Sequence, residues 1–359
     1  MVRTAGVEPA QPCGRGILSR GQTFDFVDLR YAFLAYWRAR LRSYEERRLL
    51  RGPVGQRGVL RRRMSIPRDH HFIPAFHLQH WTGADRKVIQ FNIQRGKLHW
   101  RPLTPQSTGY QTDLYAFPEL PEHQAQFLES LYFQFADDLA AEALELHLRG
   151  AHFTSWTRKL RSAWTRFVMG IHWRHPDAMP ELRAAAKAEW DRSGPEYQAR
   201  YEATKKPGDP PTFDQYIAAI DPLFPYTTQL DMIIKGLDHP HIGVHINRMP
   251  FSILDLSSAN IELLTSDRPV EVFAMSRAQG LISMPISPTK LFVAVNDLDT
   301  LNFLGRQKPR DLVRCVNRNL VERARRYVWG GDLSQRQFIG NHFGRRMEQL
   351  PLAIRESQR

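Results

Sequence analysis

His70 and His71 are adjacent, and two residues separate them from Pro74 in the stretch Arg68-Asp69-His70-His71-Phe72-Ile73-Pro74-Ala75-Phe76-His77-Leu78. An imidazole changes charge near neutral pH and offers a lone pair to metals, so one ring could hold a divalent ion while the other activates water. Finger-type metal nucleases attack a phosphodiester in this way, and Asn92 and His99 follow at suitable separations. Two physical points oppose that reading. Neighbouring side chains of an extended segment point in opposite directions. Asn92 and His99 also fall on opposite arms of a predicted hairpin, where the nuclease finger needs its last histidine on a following helix. The alternative is structural, with His71 hydrogen-bonded in the core while Pro74 and Phe76 anchor the chain.

Other residues invite chemistry in the same divided way. Arg174 ends a predicted helix, and its fixed guanidinium fork could clamp a phosphate or carboxylate, or simply complement the helix C-terminal dipole. His172 and His175, three apart, could share a metal or be a partly exposed pair at a helix end. In Thr265-Ser266-Asp267-Arg268-Pro269 a strand would deliver two hydroxyls and a carboxylate to a turn stiffened by Pro269. Asp267 there is a candidate catalytic carboxylate or metal ligand, or the cap of its own Asx-turn. Ser266 lacks a Gly-x-Ser-x-Gly elbow, which weakens it as a nucleophile. His239, His241 and His245 would line one face of a strand if Val244-His245-Ile246 is extended, although a surface loop explains them as well.

The elements that must position these residues read as follows. Ile89, Phe91 and Ile93 alternate with polar residues up to Gly96, which predicts a β-hairpin over Val88 to Trp100. Leu128, Leu131, Phe135, Leu139, Ala143 and Leu146 make one stripe of a long helix from Glu122 to Arg149. A second helix is expected from Ser155 to Arg174, capped by Thr154 and buried through Trp156, Leu160, Trp164, Phe167 and Ile171. A more solvated helix covers Glu181 to Tyr201, and Asp221-Pro222 opens another that runs to Lys235. Short β-branched runs at 244–246, 251–256, 261–264, 270–273, 281–284 and 291–295 then predict a mostly antiparallel sheet, closed by a helix from Asp311 to Tyr327. The expected class is α+β: an N-terminal β-hairpin, central long helices and a C-terminal mostly antiparallel sheet.

Composition bounds the rest. The chain has 359 residues, and 42% apolar content can fill a core, so it is not disordered. Its formal charge of +13 is uneven: residues 1–63 hold 14 Arg, no Lys and 5 acidic residues, a net of +9. That leaves +4 for the remaining 296 residues and weakens the case for nucleic acid as a partner. The opening stretch from Ala5 to Ser19 is similar to a peptide read when a frame runs through a bacterial transfer-RNA gene, which points to translation starting at Met64. A basic amphipathic helix and a targeting segment are the alternatives. No run of 18 apolar residues occurs, so no transmembrane helix is expected. With Cys13 set aside, Cys315 forms no intrachain disulfide, which fits the reducing cytoplasm. The organisation expected is an Arg-rich extension (1–63), one α+β domain (64–330) and a tail (331–359).

Taken together these pieces resemble an uncharacterised family, domain of unknown function 4238. The likeness rests on His70-His71-Phe72-Ile73-Pro74 with Phe76-His77-Leu78, the hairpin, a tyrosine before the long helix (Tyr110 or Tyr115), and Leu128-Glu129. It continues through Phe167 to Pro176, Thr265-Ser266-Asp267-Arg268-Pro269, Pro285-Ile286-Ser287-Pro288, Asn317, and Ala324-Arg325-Arg326-Tyr327. Two places depart from the pattern: Phe135 flanked by Asp137 and Asp138 replaces a second glutamate, and His175 replaces a threonine. Since the family has no assigned activity, the resemblance implies membership without a function. Two functions are carried forward. In the first, a hydrolase acting on a phosphoester joins His70, His71, Arg174 and Asp267, with His71 and Asp267 holding a divalent metal and Thr265, Ser266 and Asn317 contacting substrate. In the second, the same residues serve a non-catalytic ligand-binding or protein-interaction domain.

Overall fold

A computed structural model describes residues 68–150 and 156–346. The chain is mixed α+β, with three small antiparallel sheets around central helices. β1 (Asp69–His71) pairs with β4 (Tyr110–Thr112). Between them, α1 (Ala75–Leu78) follows Pro74, and the expected hairpin forms from β2 (Val88–Gln94) and β3 (Lys97–Leu103). Arg95 and Gly96 take positive φ at its turn, and Asn92 stands directly opposite His99. β3 is an edge strand, so Pro102 costs no ladder bond that a neighbour would need. The four-stranded sheet runs β3-β2-β10-β6, using β10 (Val328–Gly330) and β6 (Thr265–Ser266).

The first long helix is interrupted. α2 (Glu122–Ala125) is followed by a π-helical segment at Leu128–Phe133 and then α3 (Gln134–Leu148). A π turn accommodates one extra residue, so the buried face shifts phase. It runs through Ala136, Ala140, Ala143, Leu144 and His147, while Leu139 and Leu146 of the expected stripe are only half-buried. α4 (Arg158–Trp173) buries the expected Leu160, Trp164, Phe167 and Ile171. Its cap is Thr157, whose side chain accepts from Leu160 N–H; Thr154 lies outside the described residues. α5 (Ala178–Thr204) packs on α7 (Phe224–Leu237). Between those two stands α6 (Phe213–Ile220), a short helix capped by Thr212 that no expected element covers.

Residues 244–246 are not a strand. They belong to α8 (Pro240–Arg248), which Pro240 opens and the His239 side chain caps at Ile242 N–H. Pro at the first helical position favours this outcome, and the His239 ring, at the cap, lies 5.7 Å from that of His241. The remaining sheet has the order β5-β9-β8-β7, from β5 (Phe251–Asp255), β7 (Glu271–Phe273), β8 (Leu281–Ser287) and β9 (Lys290–Val295). Residues 261–264 carry no ladder; their apolar Leu263 and Leu264 are simply buried on the approach to β6. α9 (Leu298–Gly305) precedes α10 (Pro309–Arg323), which ends four residues before the expected Tyr327. Beyond β10, α11 (Arg336–His342) packs Ile339 against Phe91, Leu264 and Leu320. No described helix is long and apolar enough to cross a membrane.

Candidate functional site

The paired histidines are held by the return of the chain at Gly109. Phe72 N–H and Ile73 N–H both donate to Gly109 O, at 2.8 and 3.1 Å. Gly109 has φ +69°, and a Cβ there would meet Ile73 O at 2.9 Å. Alternation in β1 then separates the two rings, as extended geometry requires. It is His70, rather than His71, that enters the core: it is fully buried, its Nδ1 accepts from Tyr115 N–H at 2.9 Å, and its ring stacks on Tyr115. His71 is half-buried and faces the Tyr110 ring. A hydrogen bond to the Gln106 backbone occupies one of its nitrogens, and its buried Nε2 has no partner. Burial lowers its pKa, so the imidazole is neutral at pH 7 with a free lone pair at Nε2.

His71 borders a cluster whose floor is Arg174. Arg174 sits at the C-terminal end of α4, where Pro176 prevents the helix from continuing. The guanidinium is almost wholly buried, lies 4.3 Å over the Phe133 ring, and pairs with both oxygens of Asp137: Nη1 to Oδ2 at 2.8 Å and Nη2 to Oδ1 at 2.7 Å. Its Nε has no partner. The Tyr115 hydroxyl donates to Arg174 O at 3.0 Å. The π-helical segment contributes Glu129 and Tyr132, each of which has a buried oxygen without a partner. Burial raises the Glu129 carboxyl to about 7, with Arg174 opposing and Asp137 reinforcing the shift. The Tyr132 hydroxyl is pushed above the usual phenol range by burial. Unsatisfied buried polar atoms are rare in folded proteins, and these residues hold four: His71 Nε2, Arg174 Nε, a Glu129 oxygen and the Tyr132 hydroxyl. The cluster thus combines a neutral imidazole, a carboxyl poised near neutrality and a guanidinium donor.

The other candidate residues lie in a second group, one residue along from Arg174. His175 Nε2 donates to Asp267 Oδ2 at 3.3 Å, while its Nδ1 accepts from Asp177 N–H. Asp267 is almost wholly buried, and both its oxygens receive main-chain donors: Arg325 N–H at 3.1 Å to Oδ1, together with Arg326 N–H and Tyr327 N–H to Oδ2. The chain leaves the helix at Ala324 to make these bonds, which is why α10 stops short of Tyr327. Thr265 Oγ1 bonds His77 Nε2 at 3.1 Å, and Ser266 Oγ accepts from Arg268 N–H. Asn317 accepts from Leu264 N–H at 2.9 Å and donates to Glu262 O and Gln335 Oε1. The residues expected to form one site therefore divide. His71 stands with Arg174, whereas Asp267, Thr265, Ser266 and Asn317 tie the β6 turn to the C-terminal segment, and His70 braces Tyr115. His71 and Asp267, the expected metal ligands, fall in different groups, and no three His, Cys, Asp or Glu side chains among the described residues gather as a metal site.

Glu129, Tyr132 and Asp137 were not singled out as site residues. A signal was present: Glu129 is the one charged residue in the run Phe127 to Phe133, a place where an apolar core would exclude it. The π-helical register that turns it inward is not visible in residue spacing.

No curated protein and no solved structure shows significant similarity to the chain. A family model described as protein of unknown function (DUF4238) matches residues 69–334, a span that includes β1, the Arg174 cluster and the Asp267 turn. The chain belongs to that family.

Proposed function

We propose that the chain is a hydrolase acting on a phosphoester, with Glu129 and His71 as its acid–base pair and Arg174 as its phosphate donor. The observation that carries this is the pairing of a carboxyl held at about 7 with a neutral imidazole whose Nε2 is unengaged, both facing the same Arg174–Asp137 ion pair. Two titratable groups whose environments push them towards complementary protonation states are what general acid–base catalysis needs at neutral pH. In this mechanism His71 Nε2 takes a proton from water as its oxygen attacks phosphorus. Glu129, in its protonated form, gives its proton to the departing oxygen. Arg174 Nε–H donates to a phosphoryl oxygen as negative charge builds there, and Asp137 holds the guanidinium in place. Each proton step is thereby assigned to a side chain of this cluster, and Asp267 keeps a structural part. Cys315 is buried and in no disulfide, which supports a cytoplasmic location.

The test is a panel of chromogenic phosphomonoesters, phosphodiesters and carboxylic esters assayed with wild type, Glu129→Gln and His71→Asn. Hydrolysis that falls by about 10²–10⁴ in both variants, with melting temperature kept, is the expected result. Hydrolysis equal in all three proteins, or none in wild type, overturns it. The second reading, a non-catalytic ligand-binding domain, is favoured by the complete burial of Arg174 in a bidentate pair that is already neutral. A compound that raises the melting temperature without being converted would identify that reading.

A further inference from the structure

The cations of this chain are arranged in two different ways. On α5 and at its C-cap they alternate with carboxylates: Lys187 pairs with Asp191, Arg192 with Glu189, Arg200 with Glu196 and Lys205 with Glu202. On α10 they stack on one another instead. Arg310, Arg314 and Arg318 recur at every fourth residue, all exposed, and Arg306 and Lys308 precede them, also exposed. None of these five forms an ion pair with a described residue. Only Asp299 and Asp311 oppose them between residues 298 and 318. Like charges four apart on a helix repel and weaken it, so the stripe opposes folding and gains its use from an anionic partner. The adjoining helix α9 leaves two apolar side chains in water, Leu298 at 60% and Phe303 at 41% exposure. Both helices rest on one apolar cluster, α9 through Leu301 and Leu304 and α10 through Leu312, Val313 and Val316, so their solvent faces look away from the same core.

We propose that the α9–α10 surface docks on an anionic lipid membrane, with the arginine stripe at the phosphate level and Phe303 and Leu298 entering the headgroup boundary. A nucleic-acid backbone would satisfy the arginines equally well. It offers nothing to Phe303 and Leu298, whereas a bilayer interface accepts both charge and apolar contact.

The experiment is co-sedimentation of the full chain with vesicles of phosphatidylcholine alone and of phosphatidylcholine with phosphatidylserine, beside a gel-shift titration with duplex DNA. The expected result is partition to the phosphatidylserine vesicles only, weakening as salt rises. Arg310→Ala/Arg314→Ala/Arg318→Ala should lower that partition by about a hundredfold, since each cation near such a surface contributes about a factor of five. Phe303→Ala should lower it as well. The control Lys187→Ala/Arg192→Ala/Arg200→Ala removes the same charge from α5 and should leave it unchanged, which separates this surface from net charge and from residues 1–63. Three outcomes overturn the proposal: no partition in wild type, equal partition of the α10 triple variant and wild type, or DNA binding in preference to vesicles with Phe303→Ala indistinguishable from wild type. Melting temperatures of all variants report that each is folded.

Discussion

Glu129 is a carboxyl that folding makes a weaker acid. Its ordinary value is 4.5 and its folded value about 7, so between those limits the folded chain keeps a proton that the unfolded chain has released. Stability then falls as pH rises through that window, and the cost persists above it. Allowing for the partial exposure of the side chain, the cost is about 2 kcal/mol. Glu129→Gln removes the charge and keeps the shape. Urea unfolding at pH 5 and pH 8 should show the variant gaining on wild type at the higher pH; equal differences at both would mean that the carboxyl is not held protonated. Asp267 matters through its hydrogen bonds. Its carboxylate collects three main-chain N–H donors and His175, and Asn in its place offers one acceptor oxygen and an amide that confronts those donors. Asp267→Asn should therefore cost about 3 kcal/mol. Thermal unfolding measures this loss, and a melting temperature within a degree or so of wild type would show that the Arg325–Tyr327 segment does not depend on the carboxylate.

At the scale of elements, β1 depends on the segment that returns to it. Gly109 accepts the N–H groups of Phe72 and Ile73 while holding a positive φ, and a Cβ would press on the Ile73 carbonyl. Gly109→Ala should lose about 2 kcal/mol or more, because φ strain and the backbone clash add. Denaturant titration checks the loss, and the His71 cluster should loosen with it. The sequence displays some of these elements and hides others for definite reasons. The hairpin was legible because strict alternation meets a turn glycine, and α4 because its large apolar residues recur at helical spacing. The helix at 240–248 looks like a strand in the sequence because Val244 and Ile246 are β-branched, while the stronger signals, Pro240 at the first turn and a capping His239, are positional. The division of the candidate site was hidden for another reason: Arg174 and His175 are neighbours in sequence, yet one side chain turns to Asp137 and the next to Asp267. No spacing rule distinguishes the two directions. Glu129 needed the π-helical register to be seen, and a one-residue shift of phase leaves no trace in composition.

For the whole molecule, the pH response sums groups that pull in opposite directions. His77, His147 and His172 each have the imidazole pKa lowered to about 3, chiefly by burial, and they come from three separate helical segments, α1, α3 and α4. The unfolded chain binds protons at these histidines near 6.5, whereas the folded chain does not until about 3. Their stabilisation is complete above 6.5 and is lost as pH falls below it. Glu129 acts the other way between 4.5 and 7, and burial raises Asp137 and Glu262 in the same sense, while it lowers His71 and His80 alongside the three histidines. Net stability should thus fall by several kcal/mol from neutral pH to about pH 4. His147 isolates the effect best, because its ring is surrounded by Trp156, Trp164, Phe251 and Phe292. Phenylalanine suits that setting and cannot be protonated. His147→Phe should match wild type near pH 7.5 and unfold at a lower pH in an acid titration followed by tryptophan fluorescence. An acid midpoint identical to that of wild type would mean that His147 takes no part in the transition, leaving His77 and His172 to account for it.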